Sequence, residues 1–542
     1  MGREMKIIFT IFISLISAAL ITAQPLGDVI GTTYPYPQNI GPTGSRIGVC
    51  DDNSIYICWT NVLGWPYPPA PRHVFGNWQS TDGDWLEDGY QISQYAGCGF
   101  INSDIIYNNL GAFVFHSTSN EPVIIVAIEW DPPGLGFFDY FIAPNEVHPQ
   151  TPYSPGICMW PQITVDRNDN IHLVMTESAE MRWQRFCYTR SEDGGTSWTD
   201  VDLVDNVVFV SGIVISSPVS DKVAIVYIHA DDTISQAFNW PNYVVSDDGL
   251  NWDFADGIIE VPYPYAPNFD LWAYRNIDAI FDYNDELHLA WPVYGEGCDW
   301  LLHYREGADT IEVISQIPDT TTNHPIYSLL IDQVSLSRWE DPSALFAAWC
   351  QYNDSDTNTA GDYNGEIYIS QSDDNGLNWE TPRNITNSPS PNCDYGNCHS
   401  EIYPCADEEA DSLPHITYIY DPFFSPDSVW DNLLSVMYLG PEHMVDINQP
   451  PDDLPSSYFL SQNFPNPFNA VTTIQYNLPE QSYVTIEIYN ILGQKVKSLL
   501  SDEQPAGYHS AVWQADGFTS GSYFYKIQAG NFTQTKSCLL LK

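Results

Sequence analysis

The feature that most constrains the fold is a repeat that fills most of the chain. An apolar strand, a turn rich in Asp and Asn, and a second apolar strand ending in an aromatic residue recur at intervals of roughly 50 to 70 residues. A third strand follows most of the copies, and no sustained helical period interrupts them. The seven copies begin at Ile47, Ala112, Ile163, Ile213, Ile277, Ser328 and Glu401. This pattern predicts an all-β chain dominated by a β-propeller, with seven blades preferred and six as the alternative.

The ends of the chain differ from the repeats in composition. Residues 1–23 combine the basic residues Arg3 and Lys6 with an apolar run and a small-residue site, which predicts a secretory signal peptide. No later run reaches the roughly 20 apolar residues of a transmembrane helix. We therefore expect the propeller to span residues 24–446, with an extra strand within 28–38 closing its ring. Residues 447–457 form a Pro/Asp-rich linker, and residues 458–542 form a second domain.

The second domain has its own pattern of short strands. Alternating residues over 484–489, a turn at 490–493 and further strands at 495–500, 510–513 and 522–527 predict a small β-sandwich. Several motifs occur in a fixed order, carried by Pro465, Asn466, Pro467, Phe468, Gly493, Gly507, Gly521 and Tyr523. These motifs resemble the type A C-terminal sorting domain of type IX secretion cargo. The resemblance implies export to the outer surface or the extracellular space and a partnership with the type IX secretion machinery. The alternative is an ordinary immunoglobulin-like module without a role in transport.

Three of the repeats continue into a second motif. Two copies match S-x-D-x-G-x-x-W, and a third matches it only from the Asp onward, because Val245 stands where Ser is expected. The residues of the motif are Ser191, Asp193, Gly195 and Trp198, then Asp247, Gly249 and Trp252, then Ser372, Asp374, Gly376 and Trp379. These turns resemble the Asp-boxes, or BNR repeats, of sialidase-like propellers. In that family the Asp-box is structural, so the resemblance implies a fold rather than an activity.

Charge excludes some partners. The formal net charge is −52, and Lys222 is the only lysine between the signal peptide and Lys495. Such a surface repels nucleic acid and anionic lipid and favours cations. The second domain is close to balanced in charge, which marks it as separate. The eleven cysteines have no CxxC spacing, which argues against a zinc ribbon, and their odd number leaves at least one thiol without an intramolecular partner.

Candidate site residues are few. The sialidase-like resemblance would imply an arginine cluster that binds the substrate carboxylate, for which Arg46, Arg275 and Arg338 are the candidates. The family's Arg-Ile-Pro motif is absent, because the sequence continues from Arg46 as Ile-Gly. The alternative interpretation is a set of salt bridges in an acidic protein.

Two sets of polar residues have a metal-binding and a structural interpretation. Asp354, Asp356, Asn358 and Asp362 place oxygen atoms in a spacing that suits Ca²⁺, although the spacing also suits a hairpin turn. His172, His288 and His415 occupy equivalent repeat positions. They are either zinc ligands or blade residues that bond a neighbouring strand, and their separation on three blades favours the second interpretation.

Three functions remain open from the sequence. The first is a secreted or surface-displayed propeller that binds glycan or protein without catalysis, for which the loop of prolines and aromatics at 65–71 offers exposed rings. The second is a sialidase-like glycoside hydrolase, and the third is a structural or adhesion protein of the cell surface. The ligand, catalysis, the disulfide pairing, release or anchoring and the oligomeric state stay open.

Overall fold

The computed structural model describes most of the chain. The described residues are 25–33, 45–62, 72–86, 89–118, 122–147, 156–177, 184–230, 239–262, 272–273, 276–295, 298–318, 330–339, 343–394, 396–410, 413–423, 434–444, 458–460, 463, 468, 471–479, 481–504, 507–515 and 517–540. The predicted signal peptide and the whole predicted linker lie outside them. Two compact units are present, essentially residues 30–441 and 442–542, the second with residues 26–29.

The first half of the large unit contains four antiparallel repeats. A short strand precedes them, and each repeat places its first strand innermost. The strands are β1 (Asp28–Thr33), β2 (Ile47–Val49), β3 (Ile55–Val62), β4 (Arg72–Gln79), β5 (Tyr90–Gln91), β6 (Cys98–Ile106), β7 (Leu110–Ser117), β8 (Val123–Glu129), β9 (Phe138–Ala143), β10 (Cys158–Val165), β11 (Ile171–Glu177), β12 (Gln184–Ser191), β13 (Asp202–Ser216), β14 (Val223–Ala230), β15 (Asn239–Ser246) and β16 (Ile259–Glu260). Blade 1 is β2–β5 and blade 2 is β6–β9. Blades 3 and 4 form one seven-stranded sheet, because the long strand β13 is the last strand of blade 3 and the first of blade 4.

Three more repeats complete the large unit. Their strands are β17 (Trp272–Ala273), β18 (Asp278–Phe281), β19 (Leu287–Gly295), β20 (Cys298–Arg305), β21 (Glu312–Pro318), β22 (Ile331–Trp339), β23 (Leu345–Thr357), β24 (Tyr363–Ser372), β25 (Arg383–Asn384), β26 (Glu401–Ala406), β27 (Glu409–Ala410), β28 (Ile416–Tyr420) and β29 (Leu434–Leu439), followed by helix α1 (Pro441–Met444). Blade 5 contains β17–β21, and blade 6 contains β22–β25 with β27 paired beside β22. In blade 7, β1 pairs with β29 at the outer edge, so the N-terminal strand closes the ring as expected. Counted this way, the described residues form seven blades in six sheets.

Buried polar side chains join neighbouring blades along the inner strands. Asp104 of blade 2 accepts the Val165 N–H of blade 3 at 2.6 Å. Asp278 of blade 5 accepts the Leu336 N–H of blade 6 at 2.7 Å. Asp407, which follows the inner strand of blade 7, accepts the Val49 N–H of blade 1 at 3.2 Å. A backbone N–H buried without a partner is costly, and these carboxyls supply the partner that a sheet edge lacks.

The Ser–Asp turns are built as the sequence indicates at two sites. Asp193 accepts the Ser197 N–H at 2.7 Å, and Ser191 accepts the Gly195 N–H at 2.8 Å. The turn at 372–379 repeats both bonds. The three turn tryptophans, Trp198, Trp252 and Trp379, pack against hydrophobic clusters of the blades.

At the third site the sequence assignment of Asp247 is wrong. Asp248 accepts the N–H groups of Leu250 and Asn251 at 2.9 and 2.8 Å, and the hydroxyl of Ser246 donates to it at 3.1 Å. The turn lacks the residue that separates Asp from Gly in the other two. An alignment that fixes the Asp–Gly spacing therefore selects Asp247 and misses Ser246.

The C-terminal unit is a sandwich of two antiparallel sheets. Its strands are β30 (Phe459–Leu460), β31 (Val471–Leu478), β32 (Ser482–Asn490), β33 (Lys495–Gln504), β34 (Gly507–Gln514), β35 (Gly521–Ala529) and β36 (Phe532–Leu540). One sheet has the order β30-β31-β34 and the other β33-β32-β35-β36. Gly493 lies in the turn after β32 with φ of 71°, as the motif requires. Phe468 and Tyr523 both contact the buried Trp513, while Pro465, Asn466 and Pro467 lie outside the described residues.

The cysteines are mostly buried thiols. Cys393 and Cys398 form a disulfide, and Cys405, which is close to them in sequence, is a buried residue of the propeller core. Cys50 and Cys58 are also free and buried. Within the described part of the chain, no helix is long and apolar enough to cross a membrane.

Candidate functional site

A repeated backbone irregularity marks the inner strands. In blades 2, 3, 6 and 7, one residue near the start of the inner strand has φ between 52° and 57°, at a point where the register with the second strand shifts. None of the four is glycine; they are Phe100, Trp160, Gln333 and Tyr403. We call these four residues the axial arc, because inner strands surround the axis of a propeller. A β-bulge of this kind redirects a side chain away from the regular ladder.

The bulges are held by bonds from neighbouring blades. The Phe100 N–H donates to the Thr60 hydroxyl of blade 1 at 3.1 Å. The Tyr403 N–H donates to the side-chain carbonyl of Gln333, in blade 6, at 2.7 Å. Asn102, two residues after its bulge, donates to the Pro161 carbonyl of blade 3 at 2.8 Å. The left-handed conformations of Phe100 and Tyr403 are therefore supported by tertiary bonds, whereas the Gln333 N–H donates to the side chain of the preceding Asp332 at 2.9 Å.

Aromatic rings gather on one side of the arc. Phe100 stacks on His116 with ring centroids 5.1 Å apart and meets Trp160 edge-on at 6.3 Å. Phe100 and Trp160 are half-buried, whereas His116 is buried beneath. Burial, assisted by the positive charge of Arg72, lowers the pKa of His116 to about 3, so the imidazole is neutral. The partly exposed rings of Phe100 and Trp160 form an apolar surface, and the neutral imidazole of His116 beneath them adds polar ring nitrogens.

The channel at the axis is lined by acids and small apolar residues. Its cavity is small, with a volume of about 30 Å³, and is bordered by Gln162, Asp278 and Glu408, among others. Burial raises the pKa of both Asp104 and Asp278 to about 7, and the charge of Glu408 adds to the effect. The channel therefore changes charge near neutral pH, and it disfavours an anionic occupant.

The candidate arginines occupy separate structural positions. Arg46 is buried, and its guanidinium donates to the Tyr403 carbonyl at 2.7 Å, which brings it to the axial arc. Its Nε is buried without a hydrogen-bond partner. Arg338 is buried and bonds Glu408 and Glu409, each at 3.1 Å. Arg275 lies outside the described residues, so the arginine cluster stays a prediction.

The candidate calcium loop uses its oxygens internally. Asp356 accepts hydrogen bonds from Asn364 at 2.8 Å and from the Ser390 N–H at 3.0 Å. Asn358 accepts the Asp362 N–H at 3.0 Å and donates back to that carboxylate at 3.0 Å. The strand β23 includes Asp354, but its side chain is outside the description. The bonds support the interpretation as a turn, while calcium at this loop remains a hypothesis.

A second carboxyl cluster lies beside Tyr403. The Ser388 hydroxyl lies 2.8 and 2.9 Å from the two carboxyl oxygens of Glu401, and the Ser388 N–H donates to Glu366 at 2.8 Å. Burial raises the pKa of Glu401 to about 8 despite the bond from Ser388. Burial also raises the pKa of Glu366. Two protonatable carboxyls therefore share one serine near the start of the blade 7 inner strand.

The three repeat-equivalent histidines lie on separate blades, and each contacts an aromatic ring of the third strand. His172 contacts the Tyr188 hydroxyl at 2.7 Å, and His415 contacts the Tyr438 hydroxyl at 2.6 Å. His288 instead contacts His303 at 3.0 Å. This geometry fits blade residues that bond a neighbouring strand.

The sequence analysis missed the axial arc. Nothing in the amino-acid sequence of the repeats distinguishes Phe100 or Trp160 from the other aromatic residues in strands. The available signal was the spacing between strands, since each bulge adds one residue to the inner strand. That signal needs the register of the partner strand, which a sequence does not supply.

Comparison with known proteins identifies the C-terminal unit. Residues 462–540 match the secretion system C-terminal sorting domain. This domain directs export to the outer surface or the extracellular space and implies interaction with the type IX secretion machinery. No curated protein matches the chain.

Solved structures resemble the chain in fold at low identity. A polysaccharide lyase of family PL25, an ulvan lyase bound to an oligosaccharide, is 9% identical with a TM-score of 0.46, covering 77% of this chain and 95% of its own. The polysaccharide lyase Uly1 is 10% identical with a TM-score of 0.44, covering 78% and 94%. PorZ, a surface component of the type IX secretion system of Porphyromonas gingivalis, is 11% identical with a TM-score of 0.38, covering 94% and 60%. None of these three structures is a sialidase.

Proposed function

We propose that the protein is an exported binding propeller whose axial arc binds an uncharged carbohydrate. The observation that carries the proposal is the left-handed backbone of Phe100, Trp160, Gln333 and Tyr403. A non-glycine residue in this region costs about 1–2 kcal/mol, and such strain concentrates at functional sites. The same strain at equivalent positions of four blades supports a shared purpose.

The chemistry of the arc suits a sugar. Half-buried rings offer the flat apolar faces that pack on a pyranose, and binding sites of this kind add a few fixed polar groups. Gln333 and Arg46 are the polar groups beside Tyr403. The net charge of −52 and the acids of the channel disfavour anionic polymers. A neutral glycan is therefore the preferred ligand class.

Alanine variants of the arc test the proposal. We expect Phe100→Ala, Trp160→Ala and Tyr403→Ala each to weaken glycan binding at least about tenfold, as truncation of a buried aromatic anchor does. Trp130→Ala is the matched control, because Trp130 is 51% exposed and lies in the turn after β8. A glycan array screen followed by calorimetry with the full chain provides the measurement. The proposal would be contradicted if the three arc variants bound glycan as tightly as the Trp130→Ala control.

A glycine variant separates the side chain from the backbone strain. Trp160→Gly and Trp160→Ala both remove the ring, but only glycine relieves the left-handed conformation at φ of 52°. We expect both variants to lose binding, with the glycine variant more stable than the alanine variant by about 1 kcal/mol. If the alanine variant is as stable as the glycine variant, the backbone at this position is not strained.

A glycoside hydrolase is the second candidate, and one observation favours it. Glu401, with its pKa near 8, lies two residues before Tyr403 and shares Ser388 with Glu366. A carboxyl that stays protonated at neutral pH can act as a general acid. Hydrolysis of a bound glycan that Glu401→Gln abolishes would establish the enzyme. Binding without turnover in the unmodified protein would favour the binding propeller.

A further inference from the structure

Two turns of the propeller are equivalent in backbone but differ in their side chains. The hairpin after β10 and the hairpin after β18 have the same length, and in each the first Asp accepts two backbone N–H groups. Asp166, Asn170 and His172 of blade 3 therefore correspond to Asp282, Glu286 and His288 of blade 5. The strand register also aligns Tyr188 with His303, two residues before Arg190 and Arg305.

The blade 3 turn is satisfied by hydrogen bonds. Asn170 donates to the outer oxygen of Asp166 at 2.8 Å, and His172 Nε2 lies 3.3 Å from the same oxygen. The Tyr188 hydroxyl, which can donate or accept, contacts the other ring nitrogen of His172 at 2.7 Å. Asp166 is the carboxylate that contacts the imidazole in this turn, whereas Asp169 accepts the Tyr107 N–H at 3.1 Å, and the imidazole has a partner on both sides.

The blade 5 turn keeps an amide donor to Asp282, because Asn284 donates to its Oδ2 at 3.2 Å, but it replaces the other partners with metal-ligand chemistry. Glu286 stands in place of Asn170, so one ligand oxygen of Asp282, one of Glu286 and a ring nitrogen of His288 lie within 4.8 Å of one another. His288 is fully buried, and its Nε2 has no hydrogen-bond partner. It lies 3.5 Å from the Asp282 Oδ2, beyond normal hydrogen-bond alignment. In this turn two carboxylates meet a buried ring nitrogen that has no hydrogen-bond partner among the described residues.

We propose that Asp282, Glu286 and His288 bind a divalent transition-metal ion, with Zn²⁺ as the best fit. Zn²⁺ accepts imidazole nitrogen and carboxylate oxygen at about 2.0–2.2 Å, and a site with three protein ligands leaves a position for water. Ca²⁺ is a poorer fit because it takes oxygen ligands. Tetrahedral bonds of that length place ligands roughly 3.4 Å apart. The Asp282 Oδ2 and His288 Nε2 atoms, 3.5 Å apart, already have this spacing. A rotation of the partly exposed Glu286 side chain would bring its carboxylate to the same distance.

The residues around the cluster support the ligand geometry. His303 contacts Nδ1 of His288 at 3.0 Å, and this is the position from which a second residue orients a metal-binding imidazole. Asn375 of blade 6 donates to Glu286 at 2.5 Å and orients its carboxylate. Asn375 occupies the turn position that the shorter blade 4 turn lacks, so blade 3 receives no equivalent contact. Arg305 lies 3.4 Å from Glu286 and opposes a cation there.

Substitution of Glu286 with the residue that blade 3 uses tests the proposal. Glu286→Asn reproduces the satisfied turn, so the full-chain variant should fold. After chelation and gel filtration, we expect the unmodified protein to take up one more equivalent of Zn²⁺ than this variant, measured by elemental analysis. Glu260→Asn, which removes an exposed acid of blade 4, is the control for charge and should retain the equivalent.

Two further measurements distinguish a built site from general attraction of cations to an acidic protein. Co²⁺ should give the visible absorption of a nitrogen- and oxygen-liganded ion in the unmodified protein and not in Glu286→Asn. Arg305→Gln should tighten Zn²⁺ binding severalfold, because it removes the opposing charge. The proposal is overturned if the unmodified protein and Glu286→Asn bind equal numbers of Zn²⁺ ions, or if Arg305→Gln leaves the affinity unchanged.

Discussion

The propeller and the sorting domain bury different kinds of side chain. The propeller buries carboxyls such as Asp166, Asp282 and Glu401, together with several imidazoles. The described buried polar residues of the sorting domain are Asn463, Thr472 and Ser482, and its core is otherwise apolar around Trp513. The difference follows from architecture. Blades must be joined to their neighbours across sheet edges, whereas the strands of a sandwich satisfy their backbone groups within each sheet.

The largest expected effect is the loss of export when the sorting domain is deleted, because, of the two units, only that one directs export. Deletion of residues 458–542 should abolish surface export, because it removes the matched sorting domain, and should leave the propeller folded. Fractionation of a host with the type IX system provides the measurement, with the full chain as control. Normal export of the truncated protein would contradict the assignment of the signal to this unit.

The apolar core of the sorting domain should be sensitive to cavities. Trp513 is fully buried and contacts Phe468, Phe518 and Tyr523. We expect Trp513→Ala to lower the free energy of unfolding by about 3–5 kcal/mol. Ile491→Ala, at a position 72% exposed, should change it by less than about 0.5 kcal/mol. Chemical denaturation followed by circular dichroism distinguishes the two, and a small effect of Trp513→Ala would show that the core can collapse.

The carboxyls with raised pKa values should lower the stability of the propeller as the pH rises toward neutrality, while the lowered pKa of His116 acts in the opposite direction below about pH 6.5. Burial raises the pKa of Asp278 from its usual 3.8 to about 7, so between these values the folded protein holds a proton that the unfolded chain releases. Stability therefore falls from about pH 4 to pH 7, by at most on the order of 4 kcal/mol for this carboxyl. Asp104 acts in the same direction and window. Glu401 extends the loss to about pH 8.

The variant Asp278→Asn isolates one of these carboxyls. Asn still accepts the Leu336 N–H but does not titrate, so the dependence of the melting temperature on pH should become shallower. Within the full chain, the sorting domain should contribute little to the pH dependence of stability, because none of its described buried residues is a carboxyl. An unchanged slope in Asp278→Asn would show that this carboxyl ionises in the folded protein at its ordinary pKa.

The smallest expected effect checks the third Ser–Asp turn. Asp248→Ala removes an acceptor of two backbone N–H groups and should lower the melting temperature slightly. Asp247→Ala should be within about 0.5 kcal/mol of the unmodified protein, because the turn is held by its neighbour. Thermal unfolding of the two variants provides the comparison. A larger cost for Asp247→Ala would restore the assignment made from the sequence.

The sequence predicted the blades because their periodicity is local. Each strand is set by alternating apolar residues, and each turn by Asp, Asn and Gly that favour particular backbone angles. The motif assigned the wrong Asp at 246–252, because this turn is one residue shorter than the other two. Either Asp247 or Asp248 can then be aligned with the Asp of the motif. Sequence spacing could not show that the charge of Arg338 is matched by Glu408 and Glu409, which lie 70 residues or more away in the chain.

The sequence by itself determined the repeated blades, the separate sorting domain and the excess of acid, because composition, periodicity and motif order are written along the chain. Only the tertiary structure decided which residues lie at the axis and which hydrogen bonds hold them there. The left-handed conformation of Tyr403 depends on Gln333 of another blade, and that of Phe100 on Thr60. The cluster at Asp282, Glu286 and His288 became visible only beside its blade 3 counterpart. Both sites require distances between residues that sequence spacing does not encode.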